Sequence, residues 1–254
     1  MISRIGMTSG LATLFALATC LFAPYTASAN LIFDSSLGGV TGSGLGAVST
    51  ILTIQSPGSG TLESGSVERA SGADVKSDSG VLASGGTTSV GDVKTGASQT
   101  LTRTLGENSI TRATQIAIVL NADEPGGNSI TLTGLQMSVF NGNSDIFDAH
   151  LAQSVTFPTT FTGIGKEGFV FRLDTSQAAA LQALLDPLAP ATVAALRLGL
   201  SASASDATGG PETFDVAAIT AAPVVVPEPG TFLLAITGVT GLALLAWRRR
   251  IKTS

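Results

Sequence analysis

The chemistry open to this chain depends on carboxylates and one imidazole. His150 is the only histidine in 254 residues, so metal sites that need two or more imidazoles are excluded. The single cysteine, Cys20, lies in an apolar stretch near the N-terminus, which leaves residues 30–226 without any cysteine. Disulfide bonds and thiolate catalysis are therefore excluded for that long segment.

A Ser-His-Asp arrangement is the first catalytic possibility, because Asp145 and Asp148 lie near His150 and serines are abundant. Such a triad is defined by its geometry. The Gly-x-Ser-x-Gly segment that presents many nucleophilic serines occurs nowhere in the chain. We therefore interpret His150 as a surface residue beside a polar loop.

Closely spaced carboxylates raise the possibility of a polysaccharide hydrolase, in which one carboxyl acts as acid and the other as base or nucleophile. Residues 30–226 contain neither Tyr nor Trp, however, and glycosidase clefts commonly use such side chains. Asp also favours turns because it bonds its own backbone. The candidate groups are Asp123 with Glu124, Asp145 with Asp148, and Asp206 with Glu212 and Asp215.

The same oxygen-rich segments could bind Ca²⁺, which takes six to eight oxygen ligands from carboxylates, carbonyls and amides. Their spacing matches neither an EF-hand nor a glycine-rich nonapeptide repeat. Solvated acidic turns remain the competing interpretation. The candidate ligands are Asn141, Asn143, Asp145, Asp148, Asp206 and Glu212.

The charge of the central segment excludes one class of partner. Residues 30–226 carry 17 acidic and 8 basic side chains, a formal charge of -9. Nucleic acids and anionic membrane surfaces attract basic proteins, so neither is expected as a partner.

Short alternating apolar runs predict that this segment is mainly β. Residues 129–140 contain two runs on opposite faces, which a β-bulge at Gly134 would reconcile. A flexible stalk is the alternative for residues 56–96, where apolar side chains are sparse. The predicted strands are residues 32–33, 48–55, 61–69, 81–90, 116–121, 129–140, 155–157, 168–173, 194–203 and 212–220.

One helix is predicted after Asp174, which is a suitable N-cap with Gln177 three residues later. A stripe of apolar residues at helical spacing follows, and Pro187 ends it. The stripe consists of Ala178, Leu181, Leu184, Leu185 and Leu188. About nine strands and one short helix predict an antiparallel β-sandwich over residues 30–222, with a jelly roll as one possible form.

The two ends of the chain have the features of targeting segments. Residues 1–29 contain a basic start, an apolar stretch and a small-residue cleavage site at Ala27 and Ala29, as in a secretory signal peptide. At the other end, residues 231–247 are largely apolar and would form roughly 25 Å of helix, close to the thickness of a bilayer. Three arginines follow, and they are expected to stay on the cytoplasmic side.

Residues 223–254 together resemble the C-terminal sorting signal of PEP-CTERM proteins. Residues 226–230 read Val-Pro-Glu-Pro-Gly, and the apolar segment 231–247 and the basic tail 248–254 follow. The residues that carry the resemblance are Pro227, Glu228, Pro229, Arg248, Arg249 and Arg250. The resemblance implies export across the inner membrane of a Gram-negative bacterium and processing near Pro227 and Pro229 by the membrane enzyme exosortase.

Four runs in the central segment also resemble runs in a recurrent group of PEP-CTERM proteins, a group to which no activity is attached. They are residues 63–67, 95–100, 121–127 and 202–210. The resemblance implies a surface or matrix protein associated with exopolysaccharide and biofilm, which contacts the inner membrane transiently. A non-enzymatic structural or interaction role is the first hypothesis; a Ca²⁺-dependent glycan-binding module and a polysaccharide hydrolase are the alternatives.

Overall fold

The computed structural model describes residues 30–37, 48–56, 60–78, 92–96, 98–125, 128–158 and 168–219. All of them belong to one compact unit, Ala29–Val226. The predicted signal peptide, the sorting tail and the strand at residues 81–90 lie outside the described residues. Within the described residues, no helix is both long and apolar enough to cross a membrane.

The described part of the chain is mainly β, as predicted, with twelve strands in one sheet. Several predicted strands are confirmed within a few residues. The strands are β1 Asn30–Phe33, β2 Val48–Ile54, β3 Leu62–Ala70, β4 Ala73–Ser77, β5 Arg103–Thr104, β6 Ile116–Asn121, β7 Ser129–Asn141, β8 Ser144–Leu151, β9 Val155–Pro158, β10 Gly168–Leu173, β11 Arg197–Ser205 and β12 Glu212–Ala218.

The sheet is mixed rather than purely antiparallel. Its strand order is β2-β12-β6-β10-β1-β8-β7-β11-β3-β4, while β5 pairs with β11 and β9 pairs with β7. β1 pairs antiparallel with β10 but parallel with β8. The prediction of an antiparallel architecture is therefore wrong at this pair. A long connection allows the parallel pairing, since β1 and β8 are far apart in the chain.

The sheet curls, so that strands near its two ends pack against each other. Gly65 on β3 faces β2: a Cβ atom at this position would lie 2.7 Å from the Ile54 side chain and 2.4 Å from that of Val93. The missing side chain therefore allows a close approach of the two strands. β3 and β4 lie in the stretch for which a flexible stalk was the alternative, and these parts of it form a hairpin.

The predicted β-bulge is confirmed. On β11, Ser203 pairs with Gly134 and Ala204 pairs with Leu132, so that Thr133 is the extra residue on β7. Beyond it, Leu135, Met137 and Val139 are fully buried, as Ile130 and Leu132 are before it. The bulge therefore turns both apolar runs of β7 toward the core.

The predicted helix is confirmed as α1, Thr175–Leu185, with the Asp174 side chain accepting a hydrogen bond from Gln177 N. One member of its apolar stripe is misplaced, since Leu184 is 42% exposed. A second helix, α2 at Pro190–Ala195, was not predicted. It includes residues 194 and 195, which were predicted to begin a strand; β11 starts at Arg197 instead, because Pro190 suits the first turn of a helix. Three 3-10 helices are Ser35–Leu37, Gly106–Asn108 and Ala113–Gln115.

The core contains the inward side chains of the curled sheet and of α1. Phe171 and Phe214 are the largest fully buried side chains. Phe171 belongs to a group of aromatic rings in which Phe157 stacks on Phe169 at 4.0 Å and meets Phe33 edge-on at 4.9 Å. Polar side chains on the same strands are buried together with this apolar interior.

Candidate functional site

Three almost completely buried glutamates lie close together where the two ends of the sheet meet, and we call them the acidic cluster. Glu63 lies on β3, Glu124 follows β6, and Glu212 is the first residue of β12. Their exposed fractions are 4%, 2% and 0%. Because a buried carboxylate is costly unless it is compensated, the contacts of each glutamate determine its state.

Glu124 is fully compensated by one residue. The backbone N–H of Thr208 donates to both of its carboxylate oxygens, at 2.8 and 2.9 Å, and the Thr208 hydroxyl donates to Oε2 at 2.7 Å. Asn128 Nδ2 donates in turn to Thr208 Oγ1 at 2.9 Å. These bonds satisfy both carboxyl oxygens of Glu124 and connect the segment after β6 to the segment after β11.

The approach of these two segments requires glycine. Gly210 N donates to the carbonyl oxygen of Asp123 at 2.7 Å. A Cβ atom at Gly209 would lie 1.8 Å from that oxygen, and one at Gly210 would lie 1.9 Å from Asp123 Oδ2. Any larger residue would separate the segments and with them Thr208 and Glu124.

Glu63 and Glu212, which we call the carboxyl pair, are compensated much less. Glu63 Oε1 accepts a hydrogen bond from Ser56 N at 2.8 Å. Within the described part of the chain, Glu63 Oε2 and both carboxyl oxygens of Glu212 receive no hydrogen bond from another group. The two carboxyls instead lie within hydrogen-bonding reach of each other, and a bond between them requires a proton on one.

The environment of Glu212 favours its neutral form. Burial is the largest cause, and the hydrogen bond with Glu63 and the charges of Glu63 and Glu124 act in the same direction. A backbone hydrogen bond opposes them without reversing the outcome. Together they raise the pKa of Glu212 to about 11.

Asp92 borders the cluster and connects it to two strands. Its side chain is 2% exposed, and Oδ2 accepts a hydrogen bond from Ser64 N at 2.9 Å. Its backbone carbonyl accepts from Gln55 N, also at 2.9 Å. Asp92 therefore fixes the end of β2 beside β3, close to Glu63.

The described residues of four runs, 63–67, 95–100, 121–127 and 202–210, lie around this end of the sheet. Residues 63–67 contribute Glu63, residues 121–127 contribute Glu124, and residues 202–210 contribute the partner of Glu124. Residues 95–100 bind β2: Thr100 Oγ1 accepts from Thr53 N at 3.1 Å, and Thr53 Oγ1 donates to Gln99 O. The runs are far apart in the chain but contribute to one structural region.

The predicted Ca²⁺ ligands between residues 141 and 148 lie on the β7–β8 hairpin rather than in a loop. Asn143 Oδ1 accepts from Gly72 N at 2.7 Å. Asp148 Oδ1 accepts from Ser138 Oγ at 2.6 Å and from Gln136 Nε2 at 3.0 Å. Asn141 ends β7 and is exposed.

Asp145 and Asp148 lie close enough on β8 to affect each other. Burial raises the pKa of Asp145 most, and the neighbouring Asp148 carboxylate raises it further, while the Phe147 N–H lowers it. Two adjacent carboxylates of this kind bind a proton or a cation more readily than one alone.

The other two predicted Ca²⁺ ligands do not form a common site. Asp206 is exposed and accepts a hydrogen bond from Ser205 Oγ at 3.2 Å, whereas Glu212 is completely buried. Among the described residues, no group of three or more His, Cys, Asp and Glu side chains is arranged to bind a metal ion.

The remaining carboxylates proposed for acid–base chemistry have structural partners. Asp215 is 6% exposed and accepts from Thr50 Oγ1 at 2.7 Å and from Asn121 Nδ2. The pKa of Asp215 is raised overall, because burial raises it by more than these bonds and the charge of Arg103 lower it. Glu124 is bound by Thr208, and the Asp123 side chain lies against Gly210.

His150 lies on β8 rather than beside a loop, and its side chain is exposed. It is paired with Gln136 on β7 and with Asn30 on β1. Its surface position is therefore confirmed, but the polar loop expected beside it is a strand.

Sequence reasoning missed Glu63 and Asp92 as members of a buried polar region. Glu63 shares the inward face of β3 with Gly65 and Val67, an alternation of spacing two. Only Val67 is apolar, so the pattern does not reveal which face is buried. The predicted targeting residues Ala27, Ala29, Pro227, Glu228, Pro229 and Arg248 to Arg250 lie outside the described residues.

Comparisons with models of known protein families, with curated proteins and with solved structures gave no significant match.

Proposed function

We propose that this chain is an exported, non-enzymatic surface or matrix protein that exosortase processes at its C-terminus and that acts in an exopolysaccharide matrix. The observation that carries the proposal is the order of three features in residues 226–250: a Pro-Glu-Pro segment, an apolar span and three arginines. In this proposal the curled sheet is the β-sandwich body of the protein on the outer side of the membrane.

The contacts of the buried acidic residues support a structural role for the body. Glu124 is bound by Thr208, Asp92 by Ser64 and Asp215 by Thr50. Each of these bonds joins segments that are distant in the chain, so the carboxylates stabilise the fold. A catalytic carboxylate needs access to substrate, which burial of this degree prevents.

The test is mass spectrometry of the C-terminal peptide of the protein recovered from the cell surface and from the medium. We expect a terminus between residues 226 and 229 in cells with exosortase and a terminus at Ser254 in cells without it. A Pro227→Ala, Pro229→Ala variant should remain unprocessed, whereas the matched Pro223→Ala variant should be processed normally. A terminus at Ser254 in every sample would contradict the proposal.

A second candidate, Ca²⁺-dependent glycan binding, is favoured by the adjacent carboxylates of Asp145 and Asp148 on β8. The Ser138 hydroxyl places one further oxygen beside Asp148, whereas Gln136 places its amide nitrogen there. Calorimetry tests this candidate directly. Ca²⁺ binding that is lost in Asp145→Asn but kept in Asp206→Asn would support it, and no heat of binding in the unchanged chain would remove it.

A further inference from the structure

The position of the carboxyl pair within the sheet gives it a role in closing the fold. β12 is the second strand from one end of the strand order, and β3 is the second strand from the other end. Glu212 begins β12 and is paired with Ile54 on β2, which packs against Gly65 of β3. A contact between Glu212 and Glu63 therefore joins the two ends of the curled sheet.

The charges that act most strongly on Glu212 do not offset two ionised carboxylates. The nearby segment 92–96 carries one basic residue, Lys94, whose backbone N–H donates to Thr53 O of β2. Neither β2 nor β6 contains a titratable side chain. The charged groups that act on Glu212 are Glu63 from β3 and Glu124 from the segment after β6, and both are acidic. Two further carboxylates lie at this end of the sheet, Asp92, bound to Ser64, and Asp123 beside Gly210. Two buried like charges without a cation repel each other strongly.

We propose that Glu63 and Glu212 share one proton in the folded protein at neutral pH, and that this bound proton keeps the two ends of the sheet in contact. Among the described residues, Glu63 Oε2 and the two carboxyl oxygens of Glu212 accept no hydrogen bond from another residue, and the proton supplies one. It also reduces the charge of the pair from -2 to -1. The inference does not depend on the proposed function, because it concerns only the folded body of the chain.

The proton makes stability depend on pH in a defined direction. The pKa of Glu212 is about 11 in the folded chain, above its ordinary value of 4.5, so the folded state binds a proton that the unfolded state has released. This contribution to stability is complete below pH 4.5 and decreases as the pH rises toward 11. The unfolding equilibrium constant should increase by up to about tenfold per pH unit across this window.

The test is urea unfolding of the full-length chain at several pH values from 5 to 9, compared with a Glu212→Gln variant. We expect the pH dependence to be reduced by about one bound proton in the variant, which keeps the shape and a donor but no charge. The control is Asp186→Asn, an exposed position after α1, which should leave the pH dependence unchanged. Glu63→Gln should resemble Glu212→Gln.

Proton release gives a second measurement that needs no variant. Unfolding the unchanged chain in unbuffered urea at pH 8 should release a proton from the pair, since ordinary carboxyls are already deprotonated there. No release, or an unchanged pH dependence in both glutamine variants, would overturn the proposal. So would an increase of the unfolding midpoint by Ca²⁺ in the unchanged chain but not in Glu212→Gln, because a cation would then occupy the place of the proton.

Discussion

Buried carboxylates in this protein fall into two groups that differ only in their partners. Asp34 forms a buried ion pair with Arg172, with both side chains 3% exposed. Burial opposes the charge of Asp34, but hydrogen bonds from Ser36 and the guanidinium of Arg172 together lower its pKa. The charges that act most on Glu212 are carboxylates, so they add to the effect of burial and its pKa is raised. Burial and the available partners together therefore determine the charge of each residue.

The Asp34–Arg172 ion pair yields a prediction at neutral pH. Asp34→Asn keeps the shape of the side chain but leaves the Arg172 charge buried and uncompensated, so it should destabilise the fold by about 3 kcal/mol. Urea unfolding at pH 7 measures this difference. Since the pKa of Asp34 is lowered below 3.8, its charge is lost as the pH falls through that lower value, and the difference between the two chains should shrink there.

An exposed carboxylate provides the comparison. Asp186, which follows α1, is exposed, and its carboxylate accepts a hydrogen bond from the half-buried Gln182 side chain at 2.7 Å. Asp186→Asn makes the same chemical change as Asp34→Asn and should alter stability by no more than about 0.5 kcal/mol. Equal losses of stability in the two variants would show that the buried Asp34–Arg172 ion pair does not stabilise the fold.

At the scale of single elements, a feature was predictable from the sequence where all the residues that determine it lie in one short segment. The N-cap of α1 depends on Asp174 and Gln177, three residues apart, and the bulge of β7 depends on two apolar runs that change face at Gly134. β8 was missed because Asn141 to Asp145 resembles a turn followed by a loop. Gly142, at φ 64°, does form the turn, but the chain then continues directly into a half-buried strand.

The N-cap of α1 gives a prediction for this helix. The Asp174 carboxylate accepts from Gln177 N at 2.7 Å and from Ser176 Oγ at 2.8 Å. Asp174→Ala removes both bonds and should destabilise the fold by about 1 kcal/mol, as measured by chemical unfolding. Asp174→Ser keeps a capping oxygen and should recover most of the loss. Equal losses in the two variants would mean that the side chain does not cap the helix.

The contact between β2 and β3 gives a prediction about packing. Gly65→Ala would place a methyl group 2.4 Å from the Val93 side chain, so it should destabilise the fold by roughly 1–3 kcal/mol through overpacking. Val93→Ala removes the closest obstructing atom. The double variant should therefore be more stable than the sum of the two single effects predicts, a coupling that a double-mutant cycle measures. If the two single effects simply add in the double variant, Gly65 and Val93 are not in contact.

For the whole molecule, the features that the sequence did not predict are those that join distant parts of the chain. The parallel pairing of β1 with β8 and the contact of Glu63 with Glu212 both connect residues more than 100 positions apart. Hydrophobic periodicity reports the face of one element, and it contains no information about which strand lies next to it. The mainly β class was therefore predictable, whereas the mixed sheet and the acidic cluster were not.

The pH dependence of stability is a prediction about the whole molecule, because carboxyls of both kinds contribute to it. The pKa values of Asp34, Asp74 and Glu107 lie below their ordinary values, which are 3.8 for Asp and 4.5 for Glu, because hydrogen bonds and nearby basic side chains together outweigh burial. The stability that these carboxylates contribute is therefore lost as the pH falls below that range. Burial raises the pKa of Glu212 and Asp215 above it, so their contributions are lost as the pH rises. Thermal unfolding from pH 3 to 9 should therefore show a maximum of stability near pH 4 to 5, roughly at the ordinary carboxyl pKa values. A maximum at pH 7 to 8 would mean that folding takes up no proton between pH 5 and 7, and that the two ends of the sheet remain in contact without a bound proton.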